Sequence, residues 1–236
     1  MPSAPTGRTA FTWNDVSDVP ETGWAWGGSR IHGLLLDPRR SSRKADTAMR
    51  HNPREAMQPV CFIPEPLLHF THDGFVELAR ELKSENIAFA FGIRGNRADL
   101  VRESVRPDDT NIRMLGFASE TELEARLGAA DIHMVSLRPE WEGLVVPSKF
   151  FGSLAVGRPI LFEGPSESAI ARWIHQYQVG WVLNSDTKEC VAEELKALAH
   201  SGDRLKEVQK RCLWTYQKYF SKKVVIDRWD RALREL

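Results

Sequence analysis

In the run Pro139-Glu-Trp-Glu-Gly-Leu-Val-Val-Pro-Ser-Lys149, two carboxylates flank a tryptophan and a Ser-Lys pair closes the stretch. Glu140 and Glu142 have the chemistry of a general acid and base, and equally that of two solvated loop charges. Pro147, Ser148 and Lys149 open a helix, and a cation in a first helical turn opposes the helix dipole. That cost makes sense where an anion bridges the N–H groups and the ammonium. The alternative is a lysine that reaches solvent or Glu142. His72 can donate to a ligand or serve structure alone. Arg94-Gly95-Asn96-Arg97 sets two guanidinium groups on a Gly-containing turn, suited to bidentate phosphate binding or simply to a surface turn. The sequence contains no Gly-x-Gly-x-x-Gly, no Walker-type loop and no metal triad.

The elements that must position these residues alternate. Short apolar runs at Val60–Ile63, Asn86–Gly92, Asn111–Gly116, Asp131–Leu137, Pro159–Phe162 and Gly180–Leu183 read as strands. Between them lie helical patterns. Asp73 is expected to cap the first, whose Phe75, Leu78, Ala79 and Leu82 share a face. Arg97–Glu103 reads as a short helix, Ser119 with Glu122 forms a capping box, Gly157-Arg158-Pro159 stops the helix opened at Pro147, and Ser166–Gln176 follows. After Ser185 the chain is helical, with Val191, Leu195 and Leu198 on one face, Leu205, Val208 and Cys212 on another, and an amphipathic last segment from Val224 to Leu236. Strands apolar throughout and alternating with helices predict an α/β fold: a Rossmann-like parallel sheet of about six strands covered on both faces, with a helical C-terminus.

Residues 1–57 read differently, as an irregular leader or the remnant of an upstream domain. They hold Trp13, Trp24 and Trp26, a basic run at Arg39–Lys44, and one strand-like stretch, Ile31–Leu36. The regular domain is expected over 58–236. Formal net charge is zero across 236 residues, so no global field recruits nucleic acid, and the single basic run is a weak signal for it. Cys61, Cys190 and Cys212, far apart and odd in number, suggest reduced thiols, mostly in the core, rather than a disulfide framework. The start Met-Pro-Ser-Ala-Pro lacks a signal-peptide pattern, and no apolar run reaches a bilayer-spanning length, so a cytoplasmic protein is expected, at most peripheral to a membrane.

From Pro139 through Pro159 the sequence resembles the nucleotide-sugar-binding half of family-4 retaining glycosyltransferases, in the exopolysaccharide branch of colanic-acid type. Asn111-Ile-Arg-Met-Leu-Gly, Ala129-Ala-Asp131, Phe162-Glu-Gly164 and Ile170-Ala-Arg172 agree with it. The resemblance covers roughly residues 58–236. It implies the C-terminal half of a GT-B fold, in which two Rossmann-like domains face each other, one holding the donor and the other the acceptor. It places Glu142, Gly143 and Leu144 near the donor sugar and diphosphate, Ser148 and Lys149 by the phosphates, Arg94 on a turn facing the nucleotide, and His72 among the donor-binding residues. Glu142 is the candidate catalytic residue. No metal or other cofactor is implied, the nucleotide diphosphate-sugar being a substrate. This sequence departs from the family pattern in two loops. The stretch Glu65-Pro-Leu-Leu-His-Phe70 has lost the glycines that follow the first strand, and Ser168-Ala169 stands where a Gly-Glu pair is expected.

The resulting expectation is a donor-binding domain that transfers a hexose, with retention, to a polysaccharide or lipid-linked acceptor, incomplete without an acceptor domain or protein partner. The alternative from another class is a degenerate, non-catalytic GT-B-like module used for protein interaction or regulation. A nucleotide-sugar epimerase ranks lower, because it needs more loop carboxylates and histidines than His72 and Glu142 supply.

Overall fold

The computed structural model describes residues 60–64, 72–92, 97–115 and 127–235. The readings made for 1–57, for the loop at 65–70, for Arg94 and for the capping box at Ser119 lie outside these residues. Six strands form one parallel sheet: β1 (Val60–Pro64), β2 (Ala88–Gly92), β3 (Ile112–Met114), β4 (Ile132–Ser136), β5 (Ile160–Glu163) and β6 (Gly180–Leu183). Their order is β3-β2-β1-β4-β5-β6. The order reverses between β1 and β4, which is the switch point at which open parallel sheets hold their ligands. Every residue of β2 and β4 is buried, as continuous apolar runs require when both faces are covered.

Seven α-helices are seen among the described residues: α1 (Asp73–Glu81), α2 (Arg97–Ser104), α3 (Lys149–Ala155), α4 (Ala169–Tyr177), α5 (Lys188–Ala199), α6 (Gly202–Thr215) and α7 (Lys222–Arg234). The strand pleat sends alternate side chains to opposite faces. Ile132, Met134, Leu161 and Leu183 pack with Phe75, Leu78, Val101, Val191 and Leu195 on one side. Val135, Ile160, Phe162 and Val182 pack with Phe150, Leu154, Ile170, Ile174 and Cys212 on the other. The sheet thus carries α1, α2 and α5 on one face and α3 and α4 on the other, while α6 reaches both cores through Leu205 and Cys212.

Several local expectations are corrected. Asp73 is the first residue inside α1, and His72 occupies the cap position without capping the helix through its side chain. The fourth helix begins at Ala169, because Pro165-Ser166-Glu167 forms a turn and Ser168, in extended conformation, is the cap. Cys190 is exposed whereas Cys212 is buried, so only one of these two thiols belongs to the core. The stop after α3 forms as expected. Gly157 takes φ +68, its N–H donates to Leu154 O at 3.0 Å, and Arg158 N–H donates to Ser153 O at 2.8 Å. This pair of bonds is a Schellman ending, which needs a left-handed residue that glycine supplies without strain.

Two polar links fasten helices and loops to the sheet. Arg80 on α1 forks onto Asp109, with Nε to Oδ1 at 3.1 Å and Nη2 to Oδ2 at 3.0 Å, and its Nη2 also donates to Ser104 O. On the opposite face the ring of His133, buried in β4, lies 2.8 Å from Ser153 Oγ and 3.0 Å from Leu127 O. Ser153 Oγ is in turn 2.8 Å from Lys149 O, so β4 is fastened to the first turn of α3.

Candidate functional site

The β4–α3 connection leaves the carboxyl edge of the sheet, makes one 3₁₀ turn at Pro139–Trp141, and passes through Gly143 at φ +76 before Pro147 leads into α3. That left-handed residue turns the chain back over the edge, a conformation costly for a residue with a Cβ. Facing this loop is the start of α4. There Ser168 Oγ accepts from the N–H of Ala171 at 3.3 Å, and the first turn holds no acidic side chain. Between them lies a cleft of about 320 Å³. Glu142, Gly143 and Leu144 line one wall and Ser168, Ala169 and Arg172 the other, with Glu167 at the lip.

Three of the expected site residues therefore share one cleft. Leu144 is 73% exposed and Val146 44%, and together they give the cleft an apolar rim. Ser148 and Lys149 start α3 directly after the cleft-lining Pro147, but neither lines the cleft; Ser148 is exposed and makes no side-chain cap, and Lys149 is half-buried. His72 stands apart, at the N-terminus of α1, with Nε2 3.4 Å from Asp73 Oδ1.

Of the two loop carboxylates, Glu140 lies within the 3₁₀ turn and Glu142 ends it. Glu140 pairs with Arg138 at 3.0 Å, and its own backbone, then that guanidinium, hold it below the ordinary carboxylate range. Glu142 lies in the cleft. Glu140 is not among the residues that line the cleft. Glu167 and Arg172 were not anticipated as site residues. The available signal was Ser168, a good capping residue after Pro165, which puts Arg172 one turn into a helix that begins at the sheet edge. The chemistry on offer is a helix N-terminus and a guanidinium on one wall, suited to an anion, with a carboxylate on the other, suited to hydroxyl groups. Among the described residues no group of three or more His, Cys, Asp or Glu could hold a metal ion. No described helix is long and apolar enough to cross a membrane.

A second edge contact lies closer to the switch point. Glu163, the last residue of β5, accepts at Oε1 a hydrogen bond of 3.1 Å from the backbone N–H of Gly74 in the first turn of α1.

No protein-family model matches the chain. Over 161 residues it is 28% identical to the probable glycosyltransferase WbjE of Pseudomonas aeruginosa, a match covering 66% of this chain and 38% of that protein. Its fold is similar to that of Alr3699/HepE of Anabaena, solved in complex with UDP-glucose, with a TM-score of 0.60 at 12% identity over 85% of this chain and 54% of that one. It is also similar to the C-terminal domain of a group 1 glycosyl transferase, LpcC of Francisella tularensis, with a TM-score of 0.58 at 13% identity over 80% of this chain and 95% of that domain. The chain thus spans 38% of WbjE and about half of HepE, yet nearly all of a structure that is a C-terminal domain alone. It has the fold of the Rossmann-like C-terminal half of a GT-B glycosyltransferase, and over 66% of its length its sequence is similar to that of a probable glycosyltransferase.

Proposed function

We propose that this chain is the donor-binding half of a retaining glycosyltransferase of the family-4, exopolysaccharide type. It would move a hexose from a nucleotide diphosphate-sugar to a polysaccharide or lipid-linked acceptor on the cytoplasmic side. The observation that carries this reading is the cleft between Glu142–Pro147 and the start of α4, at the carboxyl edge of a parallel sheet. HepE, which shares the fold, was solved holding UDP-glucose, and that supports a nucleotide sugar as the ligand class.

In this reading the amides that open α4, with Arg172, take the diphosphate. Ser148 and Lys149 at the start of α3 add a donor and a positive charge, Arg94 and His72 face the nucleotide, and Gly143 and Leu144 pack against the sugar while Glu142 accepts from its hydroxyls. Transfer breaks the bond between the anomeric carbon and the diphosphate oxygen and forms one to the acceptor oxygen on the same face. The leaving diphosphate keeps the electron pair and receives the acceptor's proton, and cationic groups and helix amides stabilise its charge. The donor sugar is a substrate, and no resident metal or cofactor enters the scheme. The acceptor half would come from a separate segment or a partner protein. The unpartnered apolar stripe on α7 supports this, with Val225, Ile226, Trp229 and Leu233 all exposed.

Calorimetry with a panel of UDP-, GDP- and TDP-sugars tests the donor site. One nucleotide sugar is expected to bind, and Lys149→Ala to weaken it about tenfold, a loss of about 1.4 kcal/mol. Absence of binding across the panel would overturn the reading, and binding indifferent to Lys149→Ala would remove that residue from it.

A further inference from the structure

Among the helices that begin at the edge where a ligand of this sheet would sit, α1 and α4 are prepared differently. The first turn of α4 carries no acidic side chain, and Arg172 follows it. The first turn of α1 carries Asp73 and also receives the Glu163 carboxylate from β5, bound by the Gly74 N–H at 3.1 Å. Glu163 is fixed from behind, because its carbonyl accepts from the N–H of Leu137 at 2.9 Å and its Cα pairs with Leu183 across the β5–β6 ladder. The approach is close: a Cβ on Gly74 would lie 2.9 Å from Glu163 Oε1, so a larger residue there would push the carboxylate off the helix end. A helix N-terminus binds anions through free N–H groups and the dipole, and a resident carboxylate uses both.

We propose that Glu163 is a specificity-determining residue that closes the N-terminus of α1 to phosphate, so that the diphosphate of a bound nucleotide is directed to the α4 side of the crevice. The inference rests on the donor-site reading above for its ligand, but the closure itself is a property of α1 and can be probed with inorganic anions. The sequence before α1 agrees with it: Glu65-Pro-Leu-Leu-His-Phe70 contains no glycine through which backbone could approach a phosphate.

The test follows the backbone amide resonances of Gly74, Ala169 and Ile170 in the full chain during titration with inorganic pyrophosphate and with UDP. The wild type is compared with Glu163→Gln, which keeps the shape and removes the charge, and with Glu163→Ala, which vacates the helix end. In the wild type, UDP is expected to move Ala169 and Ile170 and to leave Gly74 in place. In Glu163→Ala, pyrophosphate is expected to move Gly74 and to bind at least tenfold more tightly than to the wild type, with Glu163→Gln in between. Where Glu163→Ala does not fold, a gain of threefold or more by Glu163→Gln carries the same conclusion. A Gly74 response to UDP in the wild type overturns the proposal, and so does the lack of any pyrophosphate gain in both variants. If UDP moves no amide in the wild type, the donor-site reading fails, while the pyrophosphate comparison still decides the closure.

Discussion

The Gly74 N–H and the Glu163 carboxylate meet at 3.1 Å although 89 positions separate them in the chain, and the contact joins the first turn of α1 to the end of β5. It spans the point where strand order reverses, since β1 leads into α1 and β4 lies between β1 and β5. The cleft between Glu142 and Arg172 lies on the α3–α4 side of that contact. At this carboxyl edge the start of α1 is held by a carboxylate, while the start of α4 is capped by the neutral Ser168 hydroxyl and lines the cleft.

Asp109 is expected to be a main electrostatic anchor of the α1–α2 face. Its side chain is only 2% exposed, it takes both arms of Arg80, and it also accepts from the Arg106 N–H at 2.8 Å. The Arg80 hydrogen bonds hold its carboxyl below the usual range. Asp109→Asn should cost about 2 kcal/mol at neutral pH, since it leaves a partly buried guanidinium without its counter-charge. Because the folded-state value is depressed, this contribution is present above the ordinary aspartate pKa and is lost as pH falls through the folded one. Urea denaturation at pH 7 and pH 3 checks this: the gap between wild type and variant should narrow at the lower pH.

His133 makes the opposite test of sign. Burial lowers its pKa from 6.5 to about 4, so the native state holds the ring neutral while the unfolded chain protonates it below about 6.5. The unfolded state then binds more protons, and stability falls as pH drops from about 6.5 to about 4, by at most about 3 kcal/mol. His133→Gln should be less stable at pH 7.5, because its amide cannot reproduce both the Ser153 and Leu127 contacts. It should also lose part of the acid slope between pH 6.5 and 4. A variant with the full wild-type slope would show that other groups produce it.

These examples mark what the residues alone made legible. The strands were readable because each is a short apolar run flanked by turn residues, and the end of α3 because Gly157-Arg158-Pro159 can hardly continue a helix. The resemblance at Pro139–Pro159 pointed to the loop that forms one wall of the cleft. The opposite wall was missed: the turn at Pro165–Glu167 delays α4 by three residues and so brings Ser168 and Arg172 to the edge. The Glu163–Gly74 contact has no local signature at all. A carboxylate ending a strand and a glycine opening a helix are each ordinary, and only the strand order brings them together.

The 3₁₀ turn at Pro139–Trp141 gives Glu140 and Glu142 different fates, and function should divide the same way. Glu142→Gln is expected to weaken nucleotide-sugar binding about tenfold, as the loss of one charge-assisted hydrogen bond of about 1.4 kcal/mol would. Glu140→Gln, which only dissolves the exposed pair with Arg138, should stay within about twofold of wild type. Calorimetry on the two variants separates them. Equal losses would mean that the loop rearranges on binding and that Glu140 enters the cleft.

The last helix carries a prediction about stability rather than ligand. No residue of α7 is buried. Val225, Ile226, Trp229 and Leu233 recur at helical spacing, with exposures of 37%, 52%, 65% and 62%. The ion pairs Lys223–Asp227 and Arg234–Asp230 occupy a different face, and Arg228 lies 6.0 Å from the centre of the Tyr219 ring, where α7 turns toward the domain. Side chains this exposed contribute little to folding, so Trp229→Gln should change stability by less than about 0.5 kcal/mol. In the proposed two-domain enzyme this stripe is the face offered to the acceptor half, so Trp229→Gln should weaken capture of that half by tenfold or more while the melting temperature stays put. Thermal denaturation of the chain alone, with sedimentation of its mixture with an acceptor half, reads both quantities. A clear drop in melting temperature would mean that Trp229 is already covered within the chain.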